Sequence, residues 1–121
     1  MLVAEDIEIN REILNMALEE TEVDLDFVCD GKAALDIFSK KPLKYDLILT
    51  DVNMPKMDGL AEARKIRALG DMGRKIPIIA MTANSSEEDI EKCLAAGMND
   101  HIRKPLNFPE LITKMQKHMN N

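Results

Sequence analysis

The chain has 121 residues, 45% hydrophobic and 31% charged, which suits one domain closing a single core. Its 22 acids against 16 bases leave a net charge of −6, which argues against a basic nucleic-acid-binding face. No apolar run reaches the ~18 residues of a membrane span and no basic-then-apolar leader is visible, so a cytoplasmic setting without membrane contact is expected.

Leu2-Val3-Ala4 reads as a short strand. Ile9, Ile13, Met16 and Ala17 then recur at helical spacing, giving a first helix over about residues 7–20. In VDLDFVCD, Val23, Leu25, Phe27 and Cys29 alternate with Asp24 and Asp26, the period of a half-exposed edge strand. A second helix follows over 32–40 and a third strand over 46–50. The third helix spans about 59–69, with Leu60, Ala63 and Ile66 on one face, and Gly70 and Gly73 break the chain after it. IPIIAMT, residues 76–82, is nearly continuous apolar and reads as a strand buried on both faces. SSEEDIEKCLAAG opens with a capping box from Ser85 to Glu88 and closes on Gly97 as a C-cap. A short strand over 99–102 precedes a last helix capped by Asn107, with Leu111, Ile112, Met115 and Met119 turned inward. Cys29 and Cys93 lack metal-site spacing and read as reduced packing residues, while His101 and His118 have no cysteine near enough to suggest zinc.

Five strands alternating with five helices demand helical crossovers, and so a parallel sheet with helices on both faces. The edge-like second strand and the buried third and fourth favour a flavodoxin-like (βα)5 three-layer sandwich in strand order 2-1-3-4-5. Sheets of this kind bind ligands beyond the carboxyl ends of their strands.

Those ends carry a distinctive set. Strand one ends in Glu5-Asp6, strand three in Asp51 and strand four in Thr82; Lys104-Pro105 follows strand five. Singly, each is ordinary: an acid near a helix start, a turn-starting Asp, a strand-end hydroxyl, a surface lysine. On one rim they make a joint site. Three carboxylates resist ionising together. A hard divalent ion with oxygen ligands relieves them, Mg²⁺ before Mn²⁺. Lys104 and Thr82 can hold an anion there, and a carboxylate can accept a phosphoryl group. Asp51 is the candidate nucleophile, with positioning and charge neutralisation as the source of catalysis.

Glu5-Asp6, the LILTDVNMPKMDG block, IIAMTA and HIRKP together resemble the receiver domain of two-component response regulators, over essentially the whole chain. The resemblance implies that Asp51 accepts a phosphoryl group from a phosphohistidine on a sensor histidine kinase or histidine phosphotransfer domain. It implies that Asp6, Asp51 and the backbone carbonyl of Asn53 ligate Mg²⁺, with Glu5 acting through water. It places Thr82 and Lys104 on the phosphoryl oxygens, Thr82 and position 101 in the switch, and Asn53 and Asn84 beside the path of the attacking water. The family usually has Tyr or Phe at position 101; this chain has His101. A cis Lys104-Pro105 bond is implied too, as is an output surface on the fourth helix, fifth strand and fifth helix.

The run MTANSSEEDIEKCLAAGMNDHIRKP is most similar to receivers of hybrid sensor histidine kinases, so residues 1–121 are expected to be one domain of a longer chain, monomeric or weakly dimeric. Three other readings fit less well. An aspartate-nucleophile phosphatase would want a second acid where Asn53 stands. A flavodoxin-like cofactor binder would want a glycine-rich first turn, where this chain has the acidic AEDIE. A pseudo-receiver acting only as an interaction module would not need the complete set of acids, Thr82 and Lys104.

Overall fold

Five strands form one parallel sheet: β1 (Leu2–Ala4), β2 (Asp26–Val28), β3 (Ile48–Asp51), β4 (Ile78–Thr82) and β5 (Asp100–Arg103), in order β2-β1-β3-β4-β5. The computed structural model describes residues 1–54, 56–83 and 86–119. Register is continuous across the centre: Ala4 pairs with Thr50, Thr50 with Ala80 and Asp51 with Met81. The anticipated strand order is therefore observed.

Side-chain alternation along the buried strands fills two separate layers. On one face Ile48, Ile78, Ala4 and Ala80 meet Ala34 and Phe38 of α2 (Gly31–Lys40), Ala63 and Ile66 of α3 (Gly59–Arg67), and Cys93. On the other, Val3, Leu49, Ile79 and Met81 meet Leu14 and Leu18 of α1 (Glu8–Leu18) and Leu111 and Met115 of the C-terminal helix Phe108–Met119. Each such fully buried aliphatic side chain contributes about 1.5–3 kcal/mol.

Several elements differ from the sequence reading. The Ile9, Ile13, Met16 stripe of α1 faces outward, with Met16 74% exposed. The core is met instead by Leu14 and Leu18, a separate i, i+4 pair. The helix ends at Leu18 and continues as a 3₁₀ turn, Glu19–Thr21. Strand β2 keeps only three residues, because residues 23–25 lie beyond its pairing with β1. Cys29 is exposed rather than packed, whereas Cys93 is buried.

The stretch from Gly70 to Gly73 does not merely break the chain. It builds a further short helix, α4 (Asp71–Lys75). Gly73 is what allows it: a Cβ there would lie 2.0 Å from the carbonyl oxygen of Ile66, so α4 packs backbone-close against the end of α3. The next helix, α5 (Glu87–Ala95), is capped by Ser86 accepting from the Asp89 N–H, one residue later than the expected Ser85–Glu88 box. Ser85 itself lies outside the described residues, as do Pro55 and Asn84. The C-terminal helix, now α6, is capped by Asn107 as anticipated, and Gly97 takes a left-handed φ of +99° after α5.

One side chain joins four segments. The half-buried Arg67 guanidinium donates to the carbonyls of Gly97 (2.8 Å), Gly73 (2.8 Å) and Ile76 (2.5 Å), and to Asn99 Oδ1 (2.7 Å). Asn99 Oδ1 also accepts from Ile78 N–H at the start of β4. Removing the guanidinium leaves several acceptors unpaired, and lysine cannot reproduce its planar fork. Arg67→Ala is expected to lower the unfolding free energy by about 3 kcal/mol in urea titrations, with Arg67→Lys recovering only part; a loss below about 1 kcal/mol would contradict the four-way tie.

Candidate functional site

The carboxyl ends of β1 and β3 are neighbours, which brings their acids together. Glu5 follows β1; its N–H donates to Val28 of β2 at 3.0 Å, and its side chain is 1% exposed. Asp51 is the last residue of β3 and is buried, while Asp6 is partly open to solvent. Oxygens of Glu5, Asp6 and Asp51 all lie within 4.8 Å of one another.

Lys104 supplies the opposing charge. Its Nζ donates to Asp51 Oδ2 at 2.5 Å and to Glu5 Oε1 at 3.1 Å. Its backbone N–H donates to the Thr82 carbonyl at 2.8 Å, anchoring the residue to the end of β4. The Lys104-Pro105 bond that follows is cis, as expected. The other oxygen of Asp51, Oδ1, accepts from the Asn53 N–H at 3.0 Å. Thr82 closes β4, one residue past Met81, the register partner of Asp51, and is buried.

Backbone contacts fix the loop around Asp51. Gly59 N–H donates to the Val52 carbonyl at 2.9 Å, and Gly31 N–H to that of Met57 at 3.0 Å. A Cβ at Gly59 would lie 2.4 Å from the Asp51 carbonyl oxygen, so only glycine lets α3 begin there. Asp58 caps α3 by accepting from Ala61 N–H at 2.8 Å.

The electrostatics follow from crowding. Burial pushes Glu5 above the usual carboxylate range; Lys104 opposes the shift and Asp51 adds to it. Burial pulls Lys104 down, but its bonds to Asp51 and Glu5 outweigh this and raise it, so it stays charged at neutral pH. Glu5 Oε2 is buried and has no hydrogen-bond partner among the described residues. A bare carboxylate oxygen beside two further acids fits a hard divalent cation with oxygen ligands.

Residues 1–116 match the family profile of the response regulator receiver domain. The chain belongs to that family. The receiver is 37% identical over 117 residues to the osmosensing histidine protein kinase SLN1 of Saccharomyces cerevisiae, covering 93% of this chain and 9% of the kinase. Across the hybrid and sensor kinases it matches, the chain spans between 7% and 15% of their length. A receiver domain of a sensor histidine kinase from Pseudomonas aeruginosa, solved with a magnesium ion coordinated in its active site cleft, is 37% identical with a TM-score of 0.89, covering 99% of this chain and 96% of that one. The Saccharomyces cerevisiae Ssk1 receiver, solved in complex with the histidine phosphotransfer protein Ypd1, is 29% identical with a TM-score of 0.89, covering 98% and 87%.

Beside the acids a cleft of about 480 Å³ is lined by Glu5, Asn10, Ile13, Lys104, Leu106 and Phe108, among others. Ile13 is one of the exposed isoleucines of α1, whose outward aim the periodicity alone did not give. His101 is a half-buried strand residue paired with Ala80. Its neighbour Asp100, unremarked in the sequence, is a node between β5 and α6. Asp100 accepts from the His101 N–H at 2.9 Å and lies 3.2 Å from Lys114 Nζ and 3.1 Å from His118 Nε2. Alternation on β5 beside an i, i+4 pair of bases, Lys114 and His118, was the available signal.

Lys104→Met removes the cation and leaves Glu5 and Asp51 facing each other. The raised Glu5 group contributes stability that is fully present below its ordinary value of 4.5 and is lost as pH rises through its folded value. Without Lys104 that loss is expected to steepen, costing about 3 kcal/mol at pH 7 and recovering toward pH 4. Urea titrations at the two pH values measure it; equal losses at both would contradict the charge-neutralising role.

Proposed function

We propose that this receiver takes a phosphoryl group onto Asp51 from a phosphohistidine of a sensor histidine kinase or histidine phosphotransfer domain. The observation that carries the reading is the Glu5–Asp6–Asp51 oxygen cluster with Lys104 bonded to two of its members. An Asp51 oxygen bonds phosphorus as the phosphorus–nitrogen bond breaks, and the departing imidazole nitrogen keeps the electron pair. Asn53 N–H on Oδ1 holds the carboxylate rotamer. Lys104 and the Thr82 hydroxyl receive phosphoryl oxygens. Asp6, Asp51 and the Asn53 carbonyl, with Glu5 through water, would hold Mg²⁺ or Mn²⁺, which would supply positive charge against the transferring group.

The domain thereby catalyses its own phosphorylation and hydrolysis, without turning over an external substrate; Asn53 and Asn84 set the hydrolysis rate. The added charge stabilises an alternative arrangement of Thr82 and His101 and of the α5–β5–α6 surface. The outward face of α1 exposes Ile9, Ile13 and Met16, of which Ile13 lines the cleft, and this apolar face supports docking of the donor beside the site. We further propose that residues 1–121 are one domain of a cytoplasmic portion of a hybrid sensor kinase. No helix among the described residues is long and apolar enough to cross a membrane.

Incubation with acetyl phosphate and Mg²⁺ tests the chemistry. Intact mass is expected to show one phosphoryl adduct on the wild type and none on Asp51→Asn. An unlabelled wild type, under conditions that label another receiver, would contradict the function, and a labelled Asp51→Asn would contradict the acceptor.

A further inference from the structure

Beneath Asp51 a polar pair interrupts an otherwise apolar layer. Thr50 and Glu62 are both fully buried, at 0% exposure. Thr50 pairs in the sheet with Ala4 and Ala80, and Glu62 lies on the inward stripe of α3 with Gly59, Ala63 and Ile66. Thr50 Oγ1 is 2.9 Å from Glu62 Oε1 and 3.2 Å from the Asp51 carbonyl oxygen. That carbonyl is also the one against which Gly59 is pressed. Glu62 Oε2 has no hydrogen-bond partner among the described residues.

Counting hydrogens orients the chain. An ionised Glu62 can only accept. It would take the single Thr50 hydrogen, leave Oε2 bare and bury a charge. The charged group that faces it from α2 is another acid, the N-cap Asp30. Lys56 of the 52–58 loop pairs with Asp30 at 3.8 Å, and Asp51 on β3 is reached through Thr50. A neutral Glu62 with its hydrogen on Oε1 donates to Thr50 Oγ1, and Thr50 then donates to the Asp51 carbonyl. Every hydrogen in the chain then finds an acceptor, and the Oε2 left without a partner belongs to an uncharged group. Burial pushes Glu62 up to about 8, with Asp30 adding to the shift and the Thr50 bond opposing it.

We propose that Glu62 is a positioning residue for Asp51: as a neutral acid it fixes the acceptor's main-chain carbonyl through Thr50 and ties α3 to the end of β3. The role presupposes Asp51 as the acceptor. Neutral Glu62 contributes stability that is fully present below its ordinary 4.5 and is lost as pH rises through about 8. Once ionised, it competes with the Asp51 carbonyl for the Thr50 hydrogen.

Initial rates of acetyl phosphate labelling in Mg²⁺, followed by intact mass between pH 6 and pH 9, test the role. The wild-type rate is expected to fall as pH passes about 8, while Glu62→Gln, which keeps a donor toward Thr50, matches it below that pH and lacks the decline. Thr50→Val is expected to label roughly five- to tenfold more slowly and without the decline. Carbon-13 shifts of the Glu62 carboxyl in the wild type need no variant, and a midpoint near 4.5 would overturn the neutral acid. So would wild-type rates and pH profile in both variants while Asp51→Asn stays unlabelled. Labelled Asp51→Asn would instead overturn the acceptor assignment itself.

Discussion

The Lys104 ammonium is the group on which the site depends. It lies between the Asp51 and Glu5 carboxylates, which the sheet order forces together at adjacent strand ends. Two like charges about 4 Å apart repel by about 4 kcal/mol at an effective dielectric of 20. A shared cation offsets that repulsion and also orients one Asp51 oxygen. Lys104 reaches the acids from beyond β5 because its own backbone is tied to the end of β4 through Thr82. Three strand ends are thus linked through one residue, and any change of charge at Asp51 is felt by all three.

The same linkage suggests how a signal leaves the site. A phosphoryl group on Asp51 would compete with the carboxylates for Lys104 and would offer a new acceptor to the Thr82 hydroxyl, and only differential contacts of that kind can shift a population. The element next to β4 is β5, whose Asp100 holds α6 through Lys114 and His118. On the opposite side the Thr50–Glu62 pair joins the backbone of Asp51 to α3. Asp51 is therefore tied to the α3 layer through Thr50 and Glu62, while Asp100 ties β5 to α6 in the other layer and apolar packing fills the rest of each.

Much of this was legible in the residues because strand ends are where sequence and function coincide. The continuous apolar runs before Asp51 and Thr82 defined buried parallel strands, and burial on both faces required helices on both sides. The acids, Thr82 and Lys104 then fell on one rim by topology alone. What was not legible depended on direction and close approach. A stripe of Ile9, Ile13 and Met16 gives a helix but not which way it faces, and here Leu14 and Leu18 take the inward side. Gly70 and Gly73 read as breakers, because nothing in the chain says that Gly73 must sit against the Ile66 carbonyl. Glu62 is four residues before Ile66, a spacing compatible with the inward face, but a buried acid is improbable until Thr50 is seen opposite.

The charge cluster as a cation site is tested most directly by thermal melts with and without Mg²⁺. A ligand bound only by the folded state raises the melting temperature as its concentration passes its dissociation constant. The expected result is a saturable, Mg²⁺-dependent rise in the wild type that is lost in Asp6→Asn and in Asp51→Asn. An identical rise in all three proteins, or none in the wild type at millimolar Mg²⁺, would contradict the assignment of the Glu5–Asp6–Asp51 cluster as the cation site.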